Sequence, residues 1–157
     1  MLGIPLTSMG LRARRVLLCL GAVVVSGTQL VAHPAPFSFV DLRIEGTRID
    51  LEVVVHAFDV AYELGVQPPN RVLEPGGLGS RAERLAALLD ERLEVTVDGQ
   101  RLRAESWSDP EPLPERQSIS LRASADFEQA PGSVEVEAVL FPYDPSHQTF
   151  VNFYDAG

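Results

Sequence analysis

The sequence predicts a mainly β protein, an immunoglobulin-like antiparallel β-sandwich of about seven strands with one inserted helix at about residues 81–91. Three observations predict this fold. Short runs rich in β-branched and aromatic residues alternate apolar and polar side chains, as half-buried strands do. Turn residues separate these runs at short intervals, which is typical of a sandwich. One stretch near the middle of the chain instead repeats its leucines at helical spacing.

The first two strands are predicted to form a hairpin. The runs 37–44 and 49–57 are joined by a short turn-forming connection at 45–47. In the second run one face has a strict period of two, while Asp50 and Glu52 point the other way. The face predicted to be buried consists of Ile49, Leu51, Val53, Val55 and Ala57.

The predicted helix follows a loop rich in proline and glycine at 68–79. Ser80 and Glu83 match a capping box, in which the serine hydroxyl accepts an amide proton and the glutamate reaches back to the serine amide. A shorter helical turn is predicted near residues 58–64. The apolar stripe of the main helix consists of Leu85, Leu88 and Leu89.

β structure is predicted again after the helix. Asp98 and Gly99 indicate a two-residue hairpin turn, because both positions favour positive φ. This turn joins strands predicted at 93–97 and 101–107, and a proline-rich loop follows at 109–116. The remaining predicted strands cover 117–125, 134–141 and 148–154.

The first 32 residues have the pattern of a secretory signal peptide. Three arginines precede an apolar run at 16–25 that is too short for a transmembrane helix, and Ala32 suits the last position before a cleavage site. The pair Arg14 and Arg15 leaves open a twin-arginine export signal. The sequence therefore predicts a signal peptide at 1–32 and an extracytoplasmic β-sandwich domain at 33–157, exported to the periplasm or to the extracytoplasmic face of the membrane.

Charge and cysteine content exclude several classes of function. Three of the 13 basic residues and none of the 22 acidic residues lie in 1–32, so 33–157 carries 10 basic against 22 acidic residues and a net charge of −12. A domain this acidic is unsuited to binding nucleic acid or anionic lipid. The single cysteine, Cys19, lies in the predicted signal peptide, so the mature sequence holds neither a disulfide nor a thiolate site.

Catalytic signatures are absent from the sequence. It contains no G-x-S-x-G elbow, no phosphate-binding glycine loop and no H-E-x-x-H motif. The acidic residues alternate along strand positions that face solvent, which is typical of a solvated surface. The sequence therefore predicts a protein that is not an enzyme.

The three histidines are the candidates for metal ligation. His33 becomes residue one if cleavage follows Ala32; its amine and imidazole could then chelate Ni(II) or Cu(II) with a further ligand, or it could simply lie in a frayed terminus. Asp144 and His147 lie in a proline-rich turn where they could converge on one metal ion. The same spacing also fits a structural turn in which Asp144 accepts backbone N–H bonds. His56 is predicted to be a satisfied or solvent-edge histidine rather than a ligand.

Two segments resemble one known family. The segments at 141–157 (FPYDPSHQTFVNFYDAG) and 32–44 (AHPAPFSFVDLRI) are similar to the extracytoplasmic N-terminal domain of HupE/UreJ-type membrane proteins. That family is related by its membrane part to hydrogenase and urease accessory proteins thought to move nickel. The most specific part of the likeness is D-P-x-H-x-T-F-V-N. The resemblance covers 33–157 in layout and gives a structural motif made of Pro142, Asp144, Pro145, His147, Thr149 and Asn152.

The membrane helices of that family have no counterpart in this sequence, so no transport residue can be assigned. We expect a domain truncated before a membrane region, since the sequence stops at a turn after its last predicted strand. Three functions remain open. The first is a non-catalytic domain accessory to transport of nickel or another divalent metal, with its own or a neighbouring membrane-embedded region as partner. The second is a stand-alone periplasmic metal-binding β-sandwich of the copper type, and the third is a protein-interaction module.

Overall fold

The computed structural model describes residues 36–102 and 106–155, all of which belong to one compact unit. The predicted mainly β, two-sheet, sandwich-like fold with an inserted helix is confirmed. The predicted signal peptide and His33 lie outside the described residues. The strands and helices are β1 (Phe37–Glu45), β2 (Arg48–His56), α1 (Ala57–Leu64), α2 (Ala82–Arg92), β3 (Leu93–Val97), β4 (Gln100–Arg101), β5 (Glu111–Leu113), β6 (Ser118–Asp126), β7 (Val134–Ala138) and β8 (Gln148–Asp155).

The strands form a five-stranded sheet in the order β5-β6-β2-β1-β8 and a three-stranded sheet in the order β4-β3-β7. Every described pair is antiparallel except β1 with β8, which is parallel. Antiparallel pairing throughout is therefore a wrong prediction for β8. Two parallel strands need a long connection between them. Here the chain between β1 and β8 forms the other strands of both sheets, and β8 then pairs with the edge of β1 that β2 leaves open.

The core follows the predicted period of two. All five residues of the predicted inner face of the second strand are buried, from Ile49 to Ala57, whereas Asp50 and Glu52 are only partly covered. Leu85 and Leu89 of α2 are fully buried beneath the sheet, with Leu88 packed at the margin. The hydrophobic faces of the two sheets and the two helices therefore pack into a single core.

The start of α2 differs from the prediction. Ser80 lies in a short 3-10 turn (Gly79–Arg81), and no side chain caps the helix that begins at Ala82. The capping-box prediction is wrong because Ser80 lies inside this turn, so the position before the helix is taken by Arg81 instead. The Arg81 amide donates to the Leu78 carbonyl at 2.9 Å. The weaker helical pattern near 58–64 is a two-turn helix, α1, which ends at Gly65 in the left-handed conformation.

Several boundaries also shift. Asp98 and Gly99 have φ values of 49° and 78°, as the predicted hairpin turn requires. Its second strand, β4, spans two residues, and part of the predicted 101–107 strand is not described. β5 forms inside the stretch predicted as a proline-rich loop, because Pro112 is tolerated on an edge strand. Among the described helices, none has the length and apolarity needed to cross a bilayer.

Candidate functional site

The turn before β8 is held by the side chain of Asp144. Its Oδ1 accepts hydrogen bonds from the Ser146 amide at 2.9 Å and from the Ser146 hydroxyl at 2.7 Å. These bonds lower the pKa of Asp144 below its ordinary value, since they favour the ionised form. The Asp144 carbonyl in turn accepts from the His147 amide at 3.1 Å. Of the two alternatives for this segment, the structure therefore has the structural turn.

The side chain of His147 points into the protein and is 4% exposed. Its Nδ1 lies 3.0 Å from Asp59 Oδ2, and its Nε2 lies 3.0 Å from Ser38 Oγ. An ionised carboxylate can only accept, so Nδ1 carries the proton that is donated to Asp59. In the neutral ring Nε2 then accepts the Ser38 hydroxyl proton. Both ring nitrogens are consequently used within the fold.

Asp59 is the centre of this cluster. Oδ1 accepts a hydrogen bond from the Tyr143 hydroxyl, and Oδ2 meets His147 and, at 3.5 Å, His56 Nδ1. Burial alone would raise the pKa of Asp59, but the contacts with His56 and Tyr143 and the charge of His147 together lower it. Burial and the neighbouring carboxylate raise the pKa of Tyr143 well above its usual value. We call Ser38, Asp59, Tyr143 and His147 the buried network.

The strand pattern explains why these four residues meet. Ser38 has the same parity as Val40 and Leu42, so its hydroxyl points into the core. Its register partner in β8 is Thr149, which places His147, two residues earlier, just beyond the end of the strand pair. Asp59 lies in the first turn of α1, directly after β2. The buried network therefore ties together β1, α1 and the turn that leads into β8.

The hydrogen bonds run from serine to histidine to aspartate, as they do in the catalytic triad of a serine hydrolase. In such a relay the serine oxygen must reach a substrate carbonyl. Ser38 is 0% exposed, so in this structure its hydroxyl touches protein atoms and no substrate. The arrangement can share a proton between Asp59 and His147 and can hold β1, α1 and the turn before β8 together. It does not present a nucleophile that is accessible to a substrate.

The structure does not bring the predicted metal ligands Asp144 and His147 to a common point. The Asp144 carboxylate is bonded to Ser146, and the His147 ring to Asp59 and Ser38. Within 36–102 and 106–155, no group of three or more His, Cys, Asp or Glu residues is arranged to hold a metal ion. The residues present thus do not fit a Ni(II) or Cu(II) site in this region.

His56 is less exposed than a solvent-edge histidine. Its side chain is 17% exposed and stacks on Phe58 with ring centroids 5.5 Å apart. Nδ1 is buried and has no hydrogen-bond partner in the described part of the chain, since its contact with Asp59 Oδ2 lies outside hydrogen-bond geometry. It therefore lies against the Asp59 carboxylate without completing a hydrogen bond to it.

The other residues of the predicted structural motif have supporting positions. The Asn152 amide donates to Asp41 Oδ1 at 2.7 Å on the outer face of the five-stranded sheet. Thr149 and Ser38 face each other across the β1–β8 pair. Pro142 and Pro145 lie in the turn itself. This part of the sequence shapes the turn and the last strand.

Exposed aromatic rings surround the buried network. The rings of Tyr62 and Tyr143 stack at 4.0 Å, and Phe150 lies 5.6 Å from Phe37. Phe58 stacks on His56, the last residue of β2, with ring centroids 5.5 Å apart, and Phe37 lies two residues before Phe39, the register partner of Val54 in the same strand. We call this surface the aromatic end; its exposed rings are Phe37, Phe58, Tyr62, Tyr143 and Phe150.

A second polar feature crosses the outer face of the same sheet. Glu52 lies 3.8 Å from Arg43 and 3.0 Å from Arg122, and Arg122 lies 3.1 Å from Glu111. These residues lie on four neighbouring strands: Arg43 on β1, Glu52 on β2, Arg122 on β6 and Glu111 on β5. We call them the exposed ladder. The desolvation of Glu52 opposes ionisation, but bonds from Ser120 and Arg122 keep its pKa below the usual value.

Sequence reasoning found His147 but missed its partners. Ser38 carries a detectable signal, since it is a polar residue at an inward position of a clear period-two strand. Asp59 carries a weaker one, an acid inside an otherwise apolar helical turn. Their convergence depends on the parallel pairing of β8, which the pattern did not predict. No protein-family model, curated protein or solved structure matches the chain.

Proposed function

We propose that residues 33–157 are the non-catalytic extracytoplasmic domain of a HupE/UreJ-like membrane protein, accessory to transport of nickel or another divalent metal. Its partner is its own or a neighbouring membrane-embedded region, and the aromatic end is the face that meets this partner. The observation that carries the proposal is the concentration of five exposed aromatic rings at one end of the sandwich. Aromatic side chains are enriched at protein interfaces and at the membrane–water boundary.

The buried network supports the non-catalytic part of the proposal. The histidine of the D-P-x-H-x-T-F-V-N segment has both ring nitrogens bonded inside the fold, and the serine beside it has no exposed surface. Residues with these contacts hold a scaffold in shape. They are connected to the aromatic end through Tyr143, which bonds to Asp59 and stacks on Tyr62.

The proposal assigns metal movement to the membrane-embedded region and docking to this domain. It is tested by nickel uptake in cells that carry the gene. In-frame deletion of the codons for 33–157, with the predicted signal peptide left intact, should lower the accumulation of radioactive nickel. Accumulation equal to that of the parent strain would contradict an accessory role.

Docking is tested with a photoreactive amino acid at Tyr62, in the aromatic end, and at Val139, an exposed apolar residue that follows β7. Irradiated membranes should give a crosslink to the membrane-embedded protein from Tyr62 and a much weaker one from Val139. Equal yields at the two positions would remove the aromatic end from the proposal.

Calorimetry separates this proposal from the metal-binding sandwich. The exported chain, with its N-terminus determined by mass spectrometry, is titrated with Ni(II), Cu(II) and Zn(II). We expect no saturable binding that depends on Asp144 or His147, since their side chains are used in the fold. Binding that His33→Ala removes and Asp144→Ala leaves intact would place a metal at the N-terminus and favour the copper-type alternative.

A further inference from the structure

A cavity of about 500 Å³ lies on the outer face of the five-stranded sheet, lined in part by residues of the exposed ladder. It is placed toward the end of β1 and the start of β2, where Arg43 and Arg48 belong to its lining. The aromatic end lies at the opposite ends of these strands, since Phe37 begins β1 and Phe58 follows β2. The cavity is therefore a separate surface from the docking face proposed above.

The lining of this cavity is positively charged, although the domain is strongly acidic. Its ionisable residues are Arg43, Arg48, Arg122, Asp50 and Glu52. Three arginines against two acids give the lining a net charge of +1, whereas residues 33–157 together carry −12. A cleft with an excess of one sign of charge concentrates ligands of the opposite sign. The local charge therefore favours an anionic ligand in this cavity.

Arg43 and Arg48 have donor groups left for such a ligand. A guanidinium carries five N–H donors. Within the described residues the Arg43 guanidinium makes no hydrogen bond, and its contact with Glu52 is 3.8 Å long. Arg48 bonds to Asp50 and Asp126 through Nε and Nη1, which leaves the donors of Nη2. Because Asp50 is the register partner of Arg43, the two arginines are diagonal neighbours across the β1–β2 pair, and both side chains can reach one carboxylate.

Trp107 supplies an apolar wall to the same cavity. The segment that carries it runs beside β6: the Ser108 amide donates to the Arg122 carbonyl at 2.7 Å, and the Arg122 amide donates to the Ser108 hydroxyl at 2.9 Å. The indole has a single polar hydrogen, on Nε1, and it is donated to Asp90 Oδ1 at 2.8 Å. Trp107 therefore offers the cavity apolar ring surface alone.

We propose that this cavity is a binding site for a small organic carboxylate that carries an apolar body. The carboxylate accepts hydrogen bonds from Arg43 and Arg48, and the apolar body packs on Trp107. Guanidinium groups suit carboxylates, because their planar array of N–H donors matches the two carboxylate oxygens. A volume of about 500 Å³ is within the ordinary range for small-molecule sites.

Both parts of the ligand follow from the lining of the cavity. A bare inorganic anion would use the arginines but would leave the indole facing water. An uncharged apolar compound would cover the indole, but it would displace water from the guanidinium groups without replacing the hydrogen bonds of that water. A compound with a carboxylate and an apolar body satisfies the charged wall and the aromatic wall together.

Trp107 is the single tryptophan of the chain, so its fluorescence reports on this cavity. The exported chain is titrated with cyclohexylacetate, cyclohexylacetamide and acetate at constant ionic strength, because the net charge of −12 repels anions and salt screens that repulsion. We expect a saturable fluorescence change with cyclohexylacetate and dissociation constants at least about tenfold higher for the amide and for acetate. No saturable change with cyclohexylacetate, or an equal constant for either of the other two compounds, overturns the proposal.

Arginine variants test where the carboxylate binds. Arg43→Gln and Arg48→Gln should each raise the dissociation constant of cyclohexylacetate at least about tenfold, because each removes a charged donor. The matched control is Arg84→Gln, which removes the same charge from an exposed position on α2 outside the cavity and should leave the constant unchanged. Circular dichroism checks that all three variants keep the fold. A constant that Arg43→Gln and Arg48→Gln leave unchanged, or that Arg84→Gln raises equally, overturns the site. Failure here leaves the proposed docking function untouched, because the aromatic end contributes no residue to this cavity.

Discussion

The buried network and the exposed ladder are built from similar bonds in opposite surroundings. Each joins several elements of the five-stranded sheet region through polar contacts of about the same length: 3.0 Å from His147 to Asp59 and 3.0 Å from Arg122 to Glu52. The His147 side chain is almost fully buried, whereas Arg122 and Glu111 are mostly solvated. In the ladder, water can replace any lost partner. Around Ser38, Asp59 and His147 it cannot, because these side chains are buried. Burial rather than bond length therefore determines how much each contact stabilises the fold.

The largest effect is expected from His147→Ala. This change leaves the Asp59 carboxylate and the Ser38 hydroxyl without their shared partner and creates a cavity beside Phe141, whose ring lies 4.8 Å from the imidazole. We expect the free energy of unfolding to fall by about 3 kcal/mol, because the buried Asp59 carboxylate loses a hydrogen-bond donor and the Ser38 hydroxyl loses its acceptor. Denaturant unfolding measures it. A loss as small as that of the surface control Val139→Ala would contradict a structural role for His147.

Ser38→Ala should have an intermediate effect. It removes one hydrogen bond and leaves the buried Nε2 of His147 without its donor, which costs about 1–2 kcal/mol in the free energy of unfolding.

The serine also permits a test of chemistry. The wild-type chain should not react with a fluorophosphonate probe, because Ser38 is enclosed. Labelling of the wild type that Ser38→Ala abolishes would show that the enclosed serine opens to solvent and would contradict the proposal of a non-catalytic domain.

The pH dependence should separate the two regions further. The pKa of Asp59 is lowered in the folded state, so its ionised form contributes stability that is fully present above the unfolded value of about 3.9. That contribution is lost as the pH falls through the lower, folded pKa. Comparing wild type with Asp59→Asn at a series of pH values isolates it from the other acids. The two stabilities should converge at low pH; a constant difference would mean that Asp59 acts by shape alone.

The smallest effect is expected from Arg122→Gln in the exposed ladder. Arg122 pairs with Glu52 and Glu111 while remaining largely in water. The change in melting temperature should be the smallest of the series and should disappear at high salt, because screening removes what the exposed charges contribute. A loss comparable to that of Ser38→Ala would mean that the ladder is more than a solvated surface.

The sequence was sufficient to locate several strands but not to predict that β8 pairs with β1. Period-two runs located β1, β2 and β6, and Asp98-Gly99 located a turn, because these features depend on neighbouring residues alone. The position of β8 beside β1 depends on a contact across nearly the whole domain, for which a local pattern carries no information.

The same distinction explains the candidate site. His147 and Asp144 could be selected from their local turn, but the direction of the His147 ring is set by Ser38 and Asp59, which lie on other elements. A metal ligand and a structural histidine have the same local sequence here. Only the register of the parallel pair tells them apart. His33 stays a sequence-based hypothesis.

The parallel pairing of β1 and β8 also has a consequence for how the chain is made. Ser38 and His147 are 109 positions apart, so one edge of β1 stays unpaired until β8 has been made. Loop closure over such a separation is entropically costly and slow, and chains emerge from their N-terminus first. The described fold therefore stays incomplete until β8 has been made. Termination or clipping before β8 would leave one edge of β1 unpaired and open to aggregation and proteolysis, so β8 protects the first strand of the fold.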